Sequence, residues 1–388
     1  MRGAAWAKDS RTSHQGSLAG TVPRVSPITE NTPQSRDFQN DLPLHPAAQE
    51  LLQYFFASGW PDPSKIHQQS SMLRNQLGVA RESIAANLGI ATSELEIVGE
   101  LGFGFQTAVS GLLTHRHNRF IIGAIDRQVI HGLARLHHQS GGEVITLSPD
   151  SQGFIDYQSS LSSDHDVVSW QATNREVGVR QIPPQTKENQ ALFADMTANY
   201  PLNKLPKKWD SALWDPRVFG GPQGIALVGI ANTGLWRNPG PEIDKRRVYG
   251  SFSKPLLLAT AVALEHWMKS ASEDIARIKE LNSDLRTIMR ERIPEVQIAS
   301  PEDGDPRFLA FVIPGVIAEE ALRFVEKFGF LIDAGSACGA GALSPSHVLE
   351  AMGYGADGNF RITLKPHHSQ EEVKELVEVL VKGIATGA

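Results

Sequence analysis

Apolar residues recur at helical spacing in "HPAAQELLQYFFAS" and again in "SMLRNQLGVARESIAANLG", with the breaker "GWPDPSK" between them. The pattern then changes. "LEIVGELGFGFQTAVSGLL" reads as a short strand, a glycine turn and a helix. "RFIIGAID" and "GEVITLS" are apolar strands with a helix between them, and "HDVVSWQATN" and "ALFADMTA" follow at the same spacing. "VFGGPQGIALVGI" is a glycine turn feeding another buried strand. Strands alternating with helices predict a parallel sheet covered on both faces. "KPLLLATAVALEHWMKS" opens a long helical region that reaches about residue 292.

The remainder of the chain changes style. "RFLAFVIP", "FLIDAG" and "FRITLKP" are short strands; "AEEALRFVEKFG", "SPSHVLEAMG" and "SQEEVKELVEVLVKGI" are helices. Ser344 is placed to cap the second of these, with Pro345 in its first turn and Val348, Leu349 and Met352 as its apolar stripe. Ser369 and Glu372 form a capping box for the third. The expected fold is α/β: a large domain with a mostly parallel sheet covered by helices, plus a small C-terminal α+β domain. Residues 1–38 are polar, rich in Ser, Thr and Arg and without periodicity, and read as a disordered extension. The large domain spans 39–292, with its first stretch placed to pack on the small domain, and the small domain spans 293–388.

Composition narrows the function classes. The chain has 388 residues, enough for two domains, with 41% apolar and 21% charged residues, as in a soluble globular protein. The net charge of −6 argues against a general nucleic-acid binder. No apolar run approaches the ~20 residues that span a membrane. One cysteine excludes an internal disulfide and fits a reducing, cytoplasmic setting. Zinc-type Cys/His spacing is absent; His137-His138 and His367-His368 read as solvated surface.

That cysteine, Cys338, lies in "GSACGAGALSPSHVLEAMG". A lone cysteine is ordinarily a small buried hydrophobe. Gly335, Gly339 and Gly341 favour instead a backbone-rich loop in which a thiol is accessible.

Six segments in order resemble the cysteine desulfurase family, of the class V aminotransferase superfamily with fold type I. They are "PLHPAAQELLQYFFASGWPDPSKIHQ", "ATNREVGVRQ", "ADMTA", "DPRVFGGPQGIAL", the Cys338 loop and "FRITL", and the similarity covers about residues 40–385. The resemblance implies pyridoxal phosphate (PLP) as electron sink. It implies that Cys338 is the thiolate that takes the substrate sulfur as a persulfide for an acceptor protein, the chemistry that supplies iron–sulfur cluster assembly. It also implies that Asp195 serves the pyridine nitrogen, that Arg361 binds the substrate carboxylate, and that the protein is a dimer.

The pattern departs from the family around the cofactor. The Gly221-Pro222-x-Gly224 frame sets the register of "DPRVFGGPQG", in which the family's serine, histidine and Schiff-base lysine positions are Asp215, Arg217 and Val218. The phosphate turn reads "VGELGFGFQ", with Glu100 and Leu101 for Gly and a small residue, and Gly102 for Thr. The histidine that stacks on the cofactor maps to Arg127, the second Asn of Asn-Asn-Glu to Arg175, and the nearby glutamine to Ala198. Arg127, Arg175 and Arg217 together require neutralisation, by a bound anion or by nearby acids; Glu100 and Asp215 are the candidate acids, and the structural ion-pair cluster is the favoured of the two readings.

Two decoys stand nearby. Lys254, in "GSFSKP", resembles a lysine motif of other aminotransferase classes but reads as an exposed helix-start lysine. "GELGFGFQT" imitates a dinucleotide loop, yet Thr107 holds the third glycine position and Asp126 is the nearest ribose acid. Asp195 also suits an ordinary turn carboxylate, and Arg361 an outward strand residue. The expected protein is a desulfurase relative in which covalent PLP binding is absent. Its roles would be a binding or scaffold partner, or a Cys338-based sulfur carrier, in sulfur transfer, as a homodimer or beside an active paralogue. The alternative is an active PLP-dependent desulfurase with an atypical site.

Overall fold

The computed structural model describes residues 36–113, 119–231, 234–240, 248, 252–334, 346–355 and 357–385. Its larger sheet has seven strands: β1 (Leu95–Val98), β2 (Arg119–Gly123), β3 (Glu143–Leu147), β4 (Asp166–Gln171), β5 (Ala191–Asp195), β6 (Ser211–Trp214) and β7 (Ala226–Ile230), in the order β1-β7-β6-β5-β4-β2-β3. The β3-β2-β4-β5-β6 run is parallel; β7 is antiparallel to both β6 and β1. Strands β4 to β7 are buried along their whole length, which is why β4, β5 and β7 read as apolar runs. Alternate residues serve opposite faces. Phe193, Leu213 and Val228 pack under α3 (Leu101–Ser110) and α4 (Gln128–Gln139), while Leu192, Ala212 and Leu227 join the core under α1 (Pro46–Ser58), α2 (Gln68–Leu88) and α5 (Lys254–Arg292). Gly104 lets α3 approach closely: a Cβ there would stand 2.6 Å from Leu213 Cδ1.

Helix α5 joins two cores. Its first half, through Leu257, Leu264 and Trp267, packs on the large sheet. Its second half, through Ile278, Leu285 and Met289, packs on a three-stranded antiparallel sheet of β8 (Gln297–Ile298), β9 (Phe308–Val312) and β10 (Asn359–Thr363). Helices α6 (Ala318–Lys327) and α8 (Gln370–Ala385) complete that core, and α7 (His347–Ala351) packs on the larger one. The Ser369–Glu372 box closes α8 reciprocally: Ser369 N–H donates to Glu372 Oε2 at 2.9 Å and Glu372 N–H to Ser369 Oγ at 3.2 Å.

Several expectations are corrected. No α-helix separates β3 from β4, β4 from β5 or β5 from β6; "VRQIPPQT" carries two prolines that cannot sit inside a helix. Strand β6, hidden in "DSALWDP", completes the parallel run. Among its described residues "FLIDAG" makes only single bridges, Leu331 with Asp37 and Asp333 with Arg361. Arg36–Phe38 are not part of the extension: Phe38 is fully buried, and its N–H donates to the Leu331 carbonyl at 2.8 Å. The histidine pairs are not simply surface. His137 is buried, and His368 is fully buried and stacked on Phe38 with ring centroids 3.9 Å apart. Burial, with Lys365 beside it, pushes the His368 imidazole down to about 3. In α7 the N-cap is Ser346, whose Oγ accepts from Leu349 N–H; Ser344 and Pro345 lie outside the described residues.

Candidate functional site

The carboxyl ends of parallel strands are where an α/β sheet presents chemistry. Strand β5 ends at Asp195, which is buried. Its Oδ1 accepts from Thr197 N–H at 2.9 Å and Thr197 Oγ1 at 2.5 Å. Its Oδ2 lies 3.7 Å from Nε of Arg127, the residue that opens α4. The Arg127 guanidinium stands over the Phe105 ring, and one of its terminal nitrogens is buried without a hydrogen-bond partner among the described residues. Burial lowers its pKa, Asp195 opposes that, and nearby Arg175 adds to it.

Strand β6 leads into the 3-10 helix Pro216–Phe219, capped by Asp215. Asp215 also holds Arg217, whose Nη2 donates to Oδ2 at 2.6 Å and Nε at 3.0 Å. Those bonds, against a cost of burial, raise the Arg217 pKa. Val218 is buried within this turn, and Gly220 ends it in a left-handed conformation, φ 72°.

Between Arg175 and Arg217 stands Asp41, from the segment preceding α1. Its Oδ2 is 2.5 Å from Arg175 Nη2 and 3.7 Å from Arg217 Nη1. Burial alone would raise the Asp41 carboxyl; Arg175, Arg217 and Arg307 outweigh it and hold the carboxyl below its ordinary range. Asp41, Arg175 and Arg217 line a cleft of 580 Å³ with Asp333, Arg361 and Lys365. Arg361, on β10, pairs with Asp333, while its Nε is buried without a hydrogen-bond partner among the described residues. Lys365 is buried, donates to the Asp37 carbonyl and has Asp37 Oδ1 at 3.4 Å. Each cation of the cleft therefore has a carboxylate supplied by the chain.

Arg175, Arg217 and Arg361 line one cleft, whereas Arg127, expected beside Arg175 and Arg217, is not among its lining residues. Arg127 forms a separate pair with Asp195. Of the expected neutralising acids, Asp215 holds Arg217 directly, while Glu100 forms no ion pair with the arginines among the described residues and only adds a longer-range attraction to Arg217. Glu100 is exposed and caps α3, accepting from Gly102 N–H at 2.6 Å. Asp41 and Asp333 complete the charge balance, and no motif marks either. Ala198 is buried, and its carbonyl accepts from Arg307. Lys254 lines a different cleft, with Trp60, Gly99 and Gly224, its Nζ 3.8 Å from the Phe252 ring centroid. Asp126 is no ribose acid: it is fully enclosed, its Oδ2 accepts from Gly123 N–H, and burial beside Asp195 pushes its carboxyl up to about 8. Cys338 and its glycines lie outside the described residues.

No family model matches the chain. It is 24% identical over 370 residues to "Cysteine desulfurase IscS" of Clostridium botulinum strain Hall, covering 89% of this chain and 93% of that one. It is 24% identical over 362 residues to a cysteine desulfurase of Nostoc sp., covering 87% and 89%. Among solved structures it superposes on a NifS-like protein with TM-score 0.80 at 20% identity, over 90% of this chain and 99% of that chain. A NifS-like protein from Rickettsia africae gives TM-score 0.75 at 19% identity. The fold is thus that of the NifS-like, class V aminotransferase type. The chain is a divergent relative of the cysteine desulfurases.

Proposed function

We propose that this desulfurase relative no longer builds a covalent PLP site and serves sulfur transfer as a binding or scaffold partner. The observation that carries this reading is the self-neutralised cleft, Arg175–Asp41–Arg217–Asp215 and Arg361–Asp333, beside a buried Val218 at the lysine position. The residues present do not fit PLP. Valine has no amine for a Schiff base. Asp195, the carboxylate for a pyridine nitrogen, is engaged by Arg127 and Thr197. Glu100 puts a carboxylate at the α3 N-terminus, the place that favours a phosphate.

Cys338 gives the second arm of the proposal. Its thiolate attacks the terminal sulfur of a persulfide donor, an S–S bond forms to Cys338, and the donor leaves as its thiolate. An acceptor protein then receives the sulfur, in the cytoplasm. A dimer, with a second copy or an active paralogue, is supported by exposed Tyr54, Phe56, Ile66 and Met72 on and between α1 and α2. The test is sulfide release from L-cysteine with added PLP. The wild type and Val218→Lys are both expected to stay at background, because the occupied carboxylates remain. Robust turnover by the wild type would reject the proposal; turnover by Val218→Lys alone would show that the lysine is the whole lesion.

A further inference from the structure

A second cleft, of 680 Å³, runs between the C-terminal half of α5 and the loop 301–306 and shares no lining residue with the first. Lys279, Ser283, Arg286 and Arg290 line it at steps of four, three and four, which places them on one face of the helix. Arg180 lines the same groove. Arg286 is buried at its floor and fixed: its guanidinium donates to Asn282 Oδ1 at 2.7 Å and to the carbonyls of Ser300 and Pro301 at 3.0 and 2.9 Å. Those acceptors are neutral and do not cancel its charge.

The acids are fewer than they first look. Asp305 is fully buried and already held by Arg307, whose Nε and Nη2 each donate to it at 2.9 Å. Arg180, 3.6 Å away, therefore faces a carboxylate that is largely neutralised. Glu302 is shared between Arg286 and Arg290 and is 68% exposed, so solvent and an incoming group can compete for its partners. Four cations thus face two accessible acids, Glu302 and Asp303, on a chain whose net charge is −6.

We propose that this groove docks an acidic, extended polypeptide segment of a partner protein. Lys279 and Arg290 are eleven residues apart, about 16 Å along the helix axis. That exceeds a single phosphate or carboxylate and matches about five residues of extended chain. Glu302 and Asp303 disfavour the unbroken negative backbone of a nucleic acid, whereas a peptide can space its carboxylates between them. On the same wall the Ser283 hydroxyl, and the Thr287 hydroxyl as an acceptor since its proton goes to the Ser283 carbonyl at 3.0 Å, offer neutral partners to its backbone.

The test is fluorescence anisotropy of a fluorescein-labelled hexaglutamate peptide with the full chain at low salt. The wild type is expected to bind, and Lys279→Glu/Arg290→Glu, folded by circular dichroism, to bind at least about tenfold more weakly. The milder Lys279→Gln/Arg290→Gln variant replaces it if the first does not fold. Absence of wild-type binding, or equal binding by the variant, would overturn the proposal. So would full displacement by inorganic phosphate, or equal binding of an oligothymidylate of matching charge. The groove is independent of the PLP-site reading, which none of these outcomes touches.

Discussion

Asp41 is the residue on which the closed cleft depends, and Asp41→Ala is its sharpest perturbation. Its carboxylate lies 2.5 Å from Arg175 and 3.7 Å from Arg217. At an effective dielectric near 20 these separations correspond to gross attractions of about 7 and about 4.5 kcal/mol. Desolvating the three groups offsets most of that, and Arg217 keeps Asp215 in the variant. The side chains are 15% to 32% exposed. The net loss therefore falls between the ~0–1 kcal/mol of exposed pairs and the ~3–5 kcal/mol of broken buried ones, at about 2 kcal/mol. Urea denaturation of both proteins at neutral pH reads this difference. Sign and window follow from the depressed Asp41 pKa: its stabilisation is present above an unfolded value near 3.9 and disappears as pH falls through the folded value, so the two proteins converge below about pH 4. The variant also leaves Arg175 without its carboxylate, beside Arg217. Malonate or sulfate at a hundredfold excess over Kd is expected to return about 2.7 kcal/mol to it and little to the wild type. A loss under about 0.5 kcal/mol, or equal anion stabilisation of both proteins, would refute the reasoning.

Asp126→Asn is expected to stabilise the protein near pH 8 and above. A carboxyl raised to about 8 binds its proton in the folded state and not in the unfolded one, so wild-type stability falls between about pH 4 and pH 8 while the amide's does not. Thermal denaturation across that range checks the slope. Gly104→Ala is expected to cost about 1–3 kcal/mol, because its Cβ would meet Leu213 at 2.6 Å and Ala226 at 3.2 Å; urea denaturation measures it.

The sequence showed what depends on local pattern. The apolar runs of β4, β5 and β7, the Ser369–Glu372 box and the order of the motifs all lie within a few residues of themselves. What escaped depends on distant partners. "SALW" is too short to show a period, and only its neighbours β5 and β7 make it a strand. Phe38 and His368 look polar or terminal in context, yet each buries the other. Arg127, Arg175 and Arg217 marked a charge problem, but its solution came mainly from Asp41 and Asp195, whose role is set by where the chain before α1 and the end of β5 come to rest. Counting one acid per buried guanidinium would have prompted the search without naming the residues.

The central claim is that the chain holds no lysine able to carry PLP at this site. Reductive trapping addresses it most directly: the full-length protein is incubated with PLP, treated with borohydride, digested and mapped by mass spectrometry. The account predicts only scattered, substoichiometric labelling of surface lysines. A stoichiometric phosphopyridoxyl adduct on a single lysine, Lys254 above all, would contradict it.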